Sequence, residues 1–263
     1  MIDNEETYGT RWASTYDTMI AETMGDAPAH EAADALAALA RATGAAEPTV
    51  LELGVGTGRV AVPLAERGIR VHGVDLEPAM LEILADKAQH VGDRLTHAVG
   101  DMTVAADLVA PDGTAAYDLV YCVFNTLGSL ADGAAQRACL AAAAAVLAEH
   151  GRFVIEAPVP RLDTFSRSGR RTAHLGRRGD GVWLETARHD PVDQVISLES
   201  IILSEKDGVR IQPVHYRYTW PAELDLMAEL GGLRRISRCG GWAGEKFTAA
   251  TVSYVAQYER IRG

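Results

Sequence analysis

The polar and apolar positions of this chain follow two different periods, and the points where one gives way to the other outline a fold. From about 10 to 22 and from about 28 to 42, apolar residues recur every three or four positions. Two amphipathic helices are predicted there, the second ended by Gly44. Short apolar runs near 49–53, 69–75, 94–99, 117–122 and 151–157 then alternate with helical patterns near 58–67, 78–90 and 133–148. Strands that are apolar throughout and separated by helices suit a parallel sheet covered on both faces. Beyond Pro158 and Pro160 the pattern changes to a polar, Arg-rich loop followed by three β-like runs at 182–189, 194–204 and 208–219. The last two flank Lys206-Asp207-Gly208, a hairpin turn by composition. A helix at about 222–230 and strands near 233–238 and 251–259 close the chain, and no internal repeat is visible.

This pattern predicts an α/β fold: a doubly wound, mostly parallel seven-stranded sheet with an inserted antiparallel β cap. Residues 1–45 form an N-terminal helical segment, 46–158 the core, 159–220 the cap and substrate region, and 221–263 the helix and strands that complete the core sheet. With 263 residues, 48% of them hydrophobic, the chain can bury a substantial core. A net charge of −11 argues against nucleic acid bound over a broad face, which needs a basic surface. Cys122, Cys139 and Cys239 have no metal-ligand spacing, and no metal is expected. Their odd number, with no signal peptide, fits a reducing cytoplasm. The longest apolar run, Ala138–Ala148, is too short to span a membrane.

The segment from Val50 to Ala65, VLELGVGTGRVAVPLA, carries the chemistry. An apolar strand ends in Glu52, whose carboxylate can accept from a ligand's amino group or from turn amides and would repel a diphosphate, and opens into Gly54, Gly56 and Gly58 before a helix. Glycines there let the backbone turn at positive φ and lie against a ligand. A dinucleotide fingerprint would need its third glycine at 59, which is Arg59, so a nicotinamide-dependent oxidoreductase is disfavoured.

At this point the chain resembles the class I S-adenosylmethionine-dependent methyltransferases, whose first motif is acid-x-Gly-x-Gly-x-Gly. Three later segments, VHGVDLEPAML (71–81), AVGDMTVAADL (98–108) and YDLVYCVFNTLGSL (117–130), follow in the family's order. The resemblance implies a Rossmann-like core with S-adenosylmethionine as cofactor and S-adenosylhomocysteine as product. It implies that Asp75 accepts the ribose hydroxyls with Leu76 and Met80 beside it, that Asp101 meets the adenine amino group and Met102 the ring edge, and that the loop holding Phe124 and Asn125 borders the transferable methyl. It also implies that an N-terminal helix bearing Tyr16-Asp17 folds over the cofactor. Tyr8, Trp12, Tyr16 and Phe124 are then aromatic candidates to face the sulfonium and shape the substrate slot, and Arg11 a partner for the methionine carboxylate; packing on the core explains the N-terminal aromatics equally.

The resemblance is strongest to bacterial methyltransferases of antibiotic sugars and other secondary metabolites, which implies transfer to a nitrogen, or an oxygen, of a small-molecule acceptor. A neutral amine needs no strong base, whereas a hydroxyl does. Glu156 and His215, with His189 behind them, are the base candidates for an O-methyltransferase; a non-methylating adenosylmethionine binder or a cyclase on the same scaffold is the further alternative. Arg167, Arg170, Arg171, His174, Arg177 and Arg178 either recognise an anionic group on the acceptor or form a solvated loop. The unpaired edge of the cap offers a route to a homo-oligomer.

Overall fold

A computed structural model describes residues 10–261 apart from positions 24, 179 and 207. Two N-terminal helices, α1 (Thr10–Thr23) and α2 (Ala27–Ala42), precede β1 (Thr49–Leu53), α3 (Ala61–Glu66), β2 (Arg70–Asp75), α4 (Pro78–Ala88), β3 (Leu95–Val99), β4 (Tyr117–Cys122), α5 (Gly133–Val146) and β5 (Leu147–Pro158). After the cap come α6 (Pro221–Leu230), β10 (Leu233–Cys239) and β11 (Ser253–Arg260). The seven core strands lie in the order β10-β11-β5-β4-β1-β2-β3, and only β11 runs against its neighbours.

Each central strand is apolar on both faces because each face is covered. Val50, Val71, Leu119, Tyr121 and Val154 pack with Ala33, Leu36, Leu64 and Leu84 of α2, α3 and α4. Leu51, Val120, Phe153 and Ile155 point the other way, against Leu140 and Ala143 of α5 and Leu224 of α6. Strand order reverses between β1 and β4, so the loops leaving those two strands diverge and open a crevice at their carboxyl ends, where ligands of such sheets bind.

The cap departs from expectation. It has four antiparallel strands in sequence order, β6 (Arg170–Arg178), β7 (Gly181–Asp190), β8 (Val195–Ser204) and β9 (Gly208–Arg217), not three. The Arg-rich segment is therefore mostly an edge strand: Arg171 pairs with Glu185 on β7, and Arg177 donates to the Asp180 carbonyl (3.1 Å). Its charges hid its strand character, since an edge strand with one solvated side tolerates a high density of arginine. Asp207, in the expected hairpin turn, lies outside the described residues. The Ala-rich helix also ends earlier than its composition suggests: Leu147 is already extended and pairs with Tyr117.

Candidate active site

The crevice begins with the turn after β1. Gly54 and Val55 both donate to the Val74 carbonyl (2.9 and 3.0 Å), and Gly58 donates to the Val55 carbonyl (2.9 Å), which folds the turn tightly over the end of β2. A Cβ at Gly54 would stand 2.2 Å from Thr126 Cγ2, and one at Gly58 2.2 Å from Leu84 Cδ1. These two glycines allow close packing. Gly56 differs: it has φ +51°, and a Cβ there would meet nothing within 4 Å, because that side of the turn faces the open crevice. The helix that follows begins only at Ala61 and has six residues, so bent backbone, not a long helix, forms the cradle.

Asp75 ties β2 to this turn. Its Oδ2 accepts from the Gly56 N–H (2.7 Å) and its Oδ1 from the Glu77 N–H (3.0 Å). Burial raises its pKa, and those backbone donors oppose the rise. Tyr16, Gly54, Gly56, Asp75, Leu76, Met80, Met102 and Phe124 line one cleft, with Gly100, Thr126 and Ser129 completing it. The helix carrying Tyr16 is fixed there by its neighbour: Asp17 Oδ1 accepts from the Thr57 hydroxyl in the glycine turn (2.6 Å), and its Oδ2 pairs with Lys87 on α4 (3.0 Å). Burial also raises the Tyr16 phenol, opposed by the charge of Arg59. Tyr8 and the side chains of Arg11 and Trp12 lie outside the described residues.

Several expected residues stand elsewhere. Glu52 is buried beneath the turn, accepting from the Tyr121 hydroxyl (2.7 Å); burial pushes its carboxyl up to about 8 against that hydrogen bond and the attraction of Arg59. It supports the cradle from below and does not line the cleft. Asp101 does not line it either: its Oδ1 accepts from the Thr103 N–H and hydroxyl (both 2.8 Å), while its neighbours Gly100 and Met102 form the wall. Phe124 and Asn125 both take left-handed backbone conformations, φ 52° and 64°, which sends Phe124 to the cleft and Asn125 to a small hollow beside Gly128 and Arg217.

Glu156 and His215 are not brought together. Glu156 sits behind the cleft wall, where its Oε2 accepts from the Phe124 N–H (3.2 Å) and burial raises its pKa. His215 lines a separate hollow between the cap and the start of α5, with Asp132, Arg188 and Asp190. His189 bonds the Tyr218 hydroxyl (2.9 Å) inside an aromatic cluster of the cap with Phe165. Sequence reasoning missed Thr57, Lys87, Thr126, Ser129 and the placement of Arg59. Thr57 stood within the motif itself, but Lys87 had no local signal because its partner is 70 residues away.

The cleft suits a nucleoside: an acid at the tip of β2, a turn open at Gly56, and apolar walls from Leu76, Met80 and Met102. Comparison with known proteins agrees. Residues 50–151 match the model of a methyltransferase domain. The chain is 33% identical over 219 residues, 81% of its length and 83% of the relative's, to a cypemycin N-terminal methyltransferase of a Streptomyces species. It belongs to the S-adenosylmethionine-dependent methyltransferases. The fold of the CcbJ methyltransferase from Streptomyces caelestis is similar along nearly the whole chain, with TM-score 0.85 and 37% identity over 98% of this chain and 99% of that one. An S-adenosylmethionine-dependent methyltransferase from Clostridium acetobutylicum shares the fold at TM-score 0.75 and 15% identity, covering 96% of this chain and 98% of its own. This methyltransferase therefore takes S-adenosylmethionine as cofactor.

Proposed function

We propose that this methyltransferase transfers the methyl group to a nitrogen of a small secondary metabolite. The observation that carries the reading is the cleft itself: the α1 helix with Tyr16, clamped through Asp17 and Thr57, meets the glycine turn and Phe124 around one opening. The name of the cypemycin relative, an N-terminal methyltransferase, supports nitrogen. S-adenosylmethionine supplies an electrophilic methyl on a sulfonium sulfur; the chain's own task is to align an acceptor with it and keep water out. Asp75 and the Gly56 turn hold the nucleoside end, and Tyr16 and Phe124 narrow the approach of the acceptor.

A neutral amine arriving in this slot needs no base from the protein. One observation favours an O-methyl reading beside it: Glu156, with its pKa raised by burial, lies one hydrogen bond behind Phe124. A panel of amine and hydroxyl acceptors, assayed for adenosylhomocysteine and for product mass, distinguishes the two. The nitrogen reading expects a gain of one methylene unit on amines and retained turnover in Glu156→Gln. Methylation confined to hydroxyls, abolished by Glu156→Gln, would overturn it. Asp75→Ala is expected to weaken adenosylhomocysteine binding about tenfold or more in calorimetry, since it removes the acceptor for the ribose and loosens the turn; undiminished heat would refute the placement of the cofactor.

The same reading places the enzyme in the cytoplasm, on the strength of its three unpaired cysteines. It also gives the edge strands β6 and β9 a role in pairing two copies, for which light scattering should report a mass above the monomer's. Among the described residues no helix is long and apolar enough to cross a membrane.

A further inference from the structure

Arg59 follows the glycine turn directly, and its guanidinium carbon lies 3.4 Å from the centroid of the Phe124 ring. At that distance it covers one face of the ring, and Phe124 is one of the residues that line the cleft. Among the described residues the guanidinium forms no ion pair. Its Nη1 is buried and meets no hydrogen-bond acceptor. Glu52 and Glu156 feel its charge across space without touching it, and burial holds both carboxyls toward their neutral forms. A cation this poorly compensated costs stability. The ring it lies over belongs to a residue held in a left-handed backbone conformation.

We propose that Arg59 is a positioning residue for methyl transfer, clamping the Phe124 ring against the cleft and lowering the cleft's preference for the sulfonium donor over the neutral thioether product. The proposal rests on the reading of this cleft as the methyl-donor site. A ring offers its negative face to a cation on either side, and a guanidinium already stacked on one face weakens what the other can offer a sulfonium. Phe124 then acts as a wall that shapes the approach more than as a cation-binding surface. The positive charge leaves sulfur as the methyl moves to the acceptor, and a fixed cation nearby disfavours the sulfonium before transfer more than the state in which its charge has partly departed.

The test is calorimetry on the full chain with S-adenosylmethionine and with S-adenosylhomocysteine, for the native protein, Arg59→Met and Arg59→Lys, each checked by thermal unfolding. Arg59→Met is expected to raise the ratio of donor to product affinity about three- to tenfold, because the competing charge is gone. Arg59→Lys keeps the charge but not the planar stack; its ratio should stay within about twofold of native while kcat falls roughly tenfold at little change in donor KM. An unchanged ratio in Arg59→Met overturns the charge effect, and native kcat in Arg59→Lys overturns the clamp. Should Arg59→Met fail to fold, Arg59→Gln removes the same charge and is read in the same way. Absence of heat from both ligands in the native protein would instead refute the cofactor reading, a result distinct from either.

Discussion

At the scale of single residues, the site is built on side chains that are present and side chains that are missing. Gly54 and Gly58 make room for Thr126 and Leu84, while Gly56 leaves the turn open to the cleft, so the three glycines of one motif do different work. Glu52 supports this turn at a cost that depends on pH. Its ordinary pKa is 4.5 and its folded value about 8, so below the first value it is protonated in both states. As pH rises between the two, the unfolded chain releases a proton that the folded chain retains, and stability is lost progressively until the folded value is passed. Glu52→Gln keeps an acceptor for Tyr121 and removes this dependence. Its melting temperature should fall less from pH 4.5 to 8 than that of the native protein, the remaining decline coming from groups such as Asp75 and Glu156 whose pKa burial also raises, with a gain of roughly 1–3 kcal/mol at the upper end. Parallel declines in the two proteins would show that another group is responsible.

Among the elements, α1 is tied to the glycine turn and to α4 through one side chain. It is a single helix laid over the cleft, and its described polar attachments are Asp17 to Thr57 and Asp17 to Lys87. Both join it to the glycine turn and α4; on the proposed placement of the cofactor, the position of the helix and the shape of the turn are then coupled. Thr57 is buried, and Thr57→Val keeps its volume while removing the donor. A hydrogen bond to a charged group of this kind contributes about 1.5–3 kcal/mol. The variant should therefore bind adenosylhomocysteine several-fold more weakly and lose α1 faster to limited proteolysis, with a global melting temperature close to native. Equal proteolysis of the two proteins would mean that other contacts, among them the packing of buried Ala13 and the Asp17–Lys87 pair, hold the helix.

At the scale of the whole molecule, the cap must keep a fixed position relative to the core if it is to shape an acceptor site. Arg217, at the end of β9 and 8% exposed, supplies that connection. Its guanidinium donates to Gln136 Oε1 on α5 (2.6 Å), to Gln194 Oε1 between β7 and β8 (2.6 Å) and to Glu223 on α6 (2.7 Å). Three segments far apart in sequence thus converge on one buried cation. Truncation leaves the Glu223 carboxylate without its counter-ion, so Arg217→Met should destabilise the protein by about 3–5 kcal/mol, and adding Glu223→Gln should recover part of the loss. Denaturant unfolding measures both; a loss below 1 kcal/mol in the single variant would show that the cap is held by its apolar cluster of Ala187, Ile196 and Tyr218.

By itself the sequence determined what depends on local period and local backbone: the order of strands and helices, burial of the sheet on both faces, and the glycine turn with an acid at the tip of the next strand. Those features are legible because the spacing of apolar residues and the absence of a Cβ act within a few residues along the chain. The strand nature of 170–178 was hidden, since it depends on Glu185 across the sheet for charge balance. The expected roles of Glu52 and Asn125, and those of Glu156 and His215 as separate base candidates, assumed that a place in a motif or in the cap means facing the ligand. Tertiary packing decided otherwise: it turned Glu52 down to Tyr121, sent Asn125 to the far side of its loop and left His215 in another hollow. It also set Arg59 on Phe124, 65 positions later in the chain. Which way a side chain points, and what it meets, is fixed by contacts between distant segments, and those exist only once the crevice between β1 and β4 has formed.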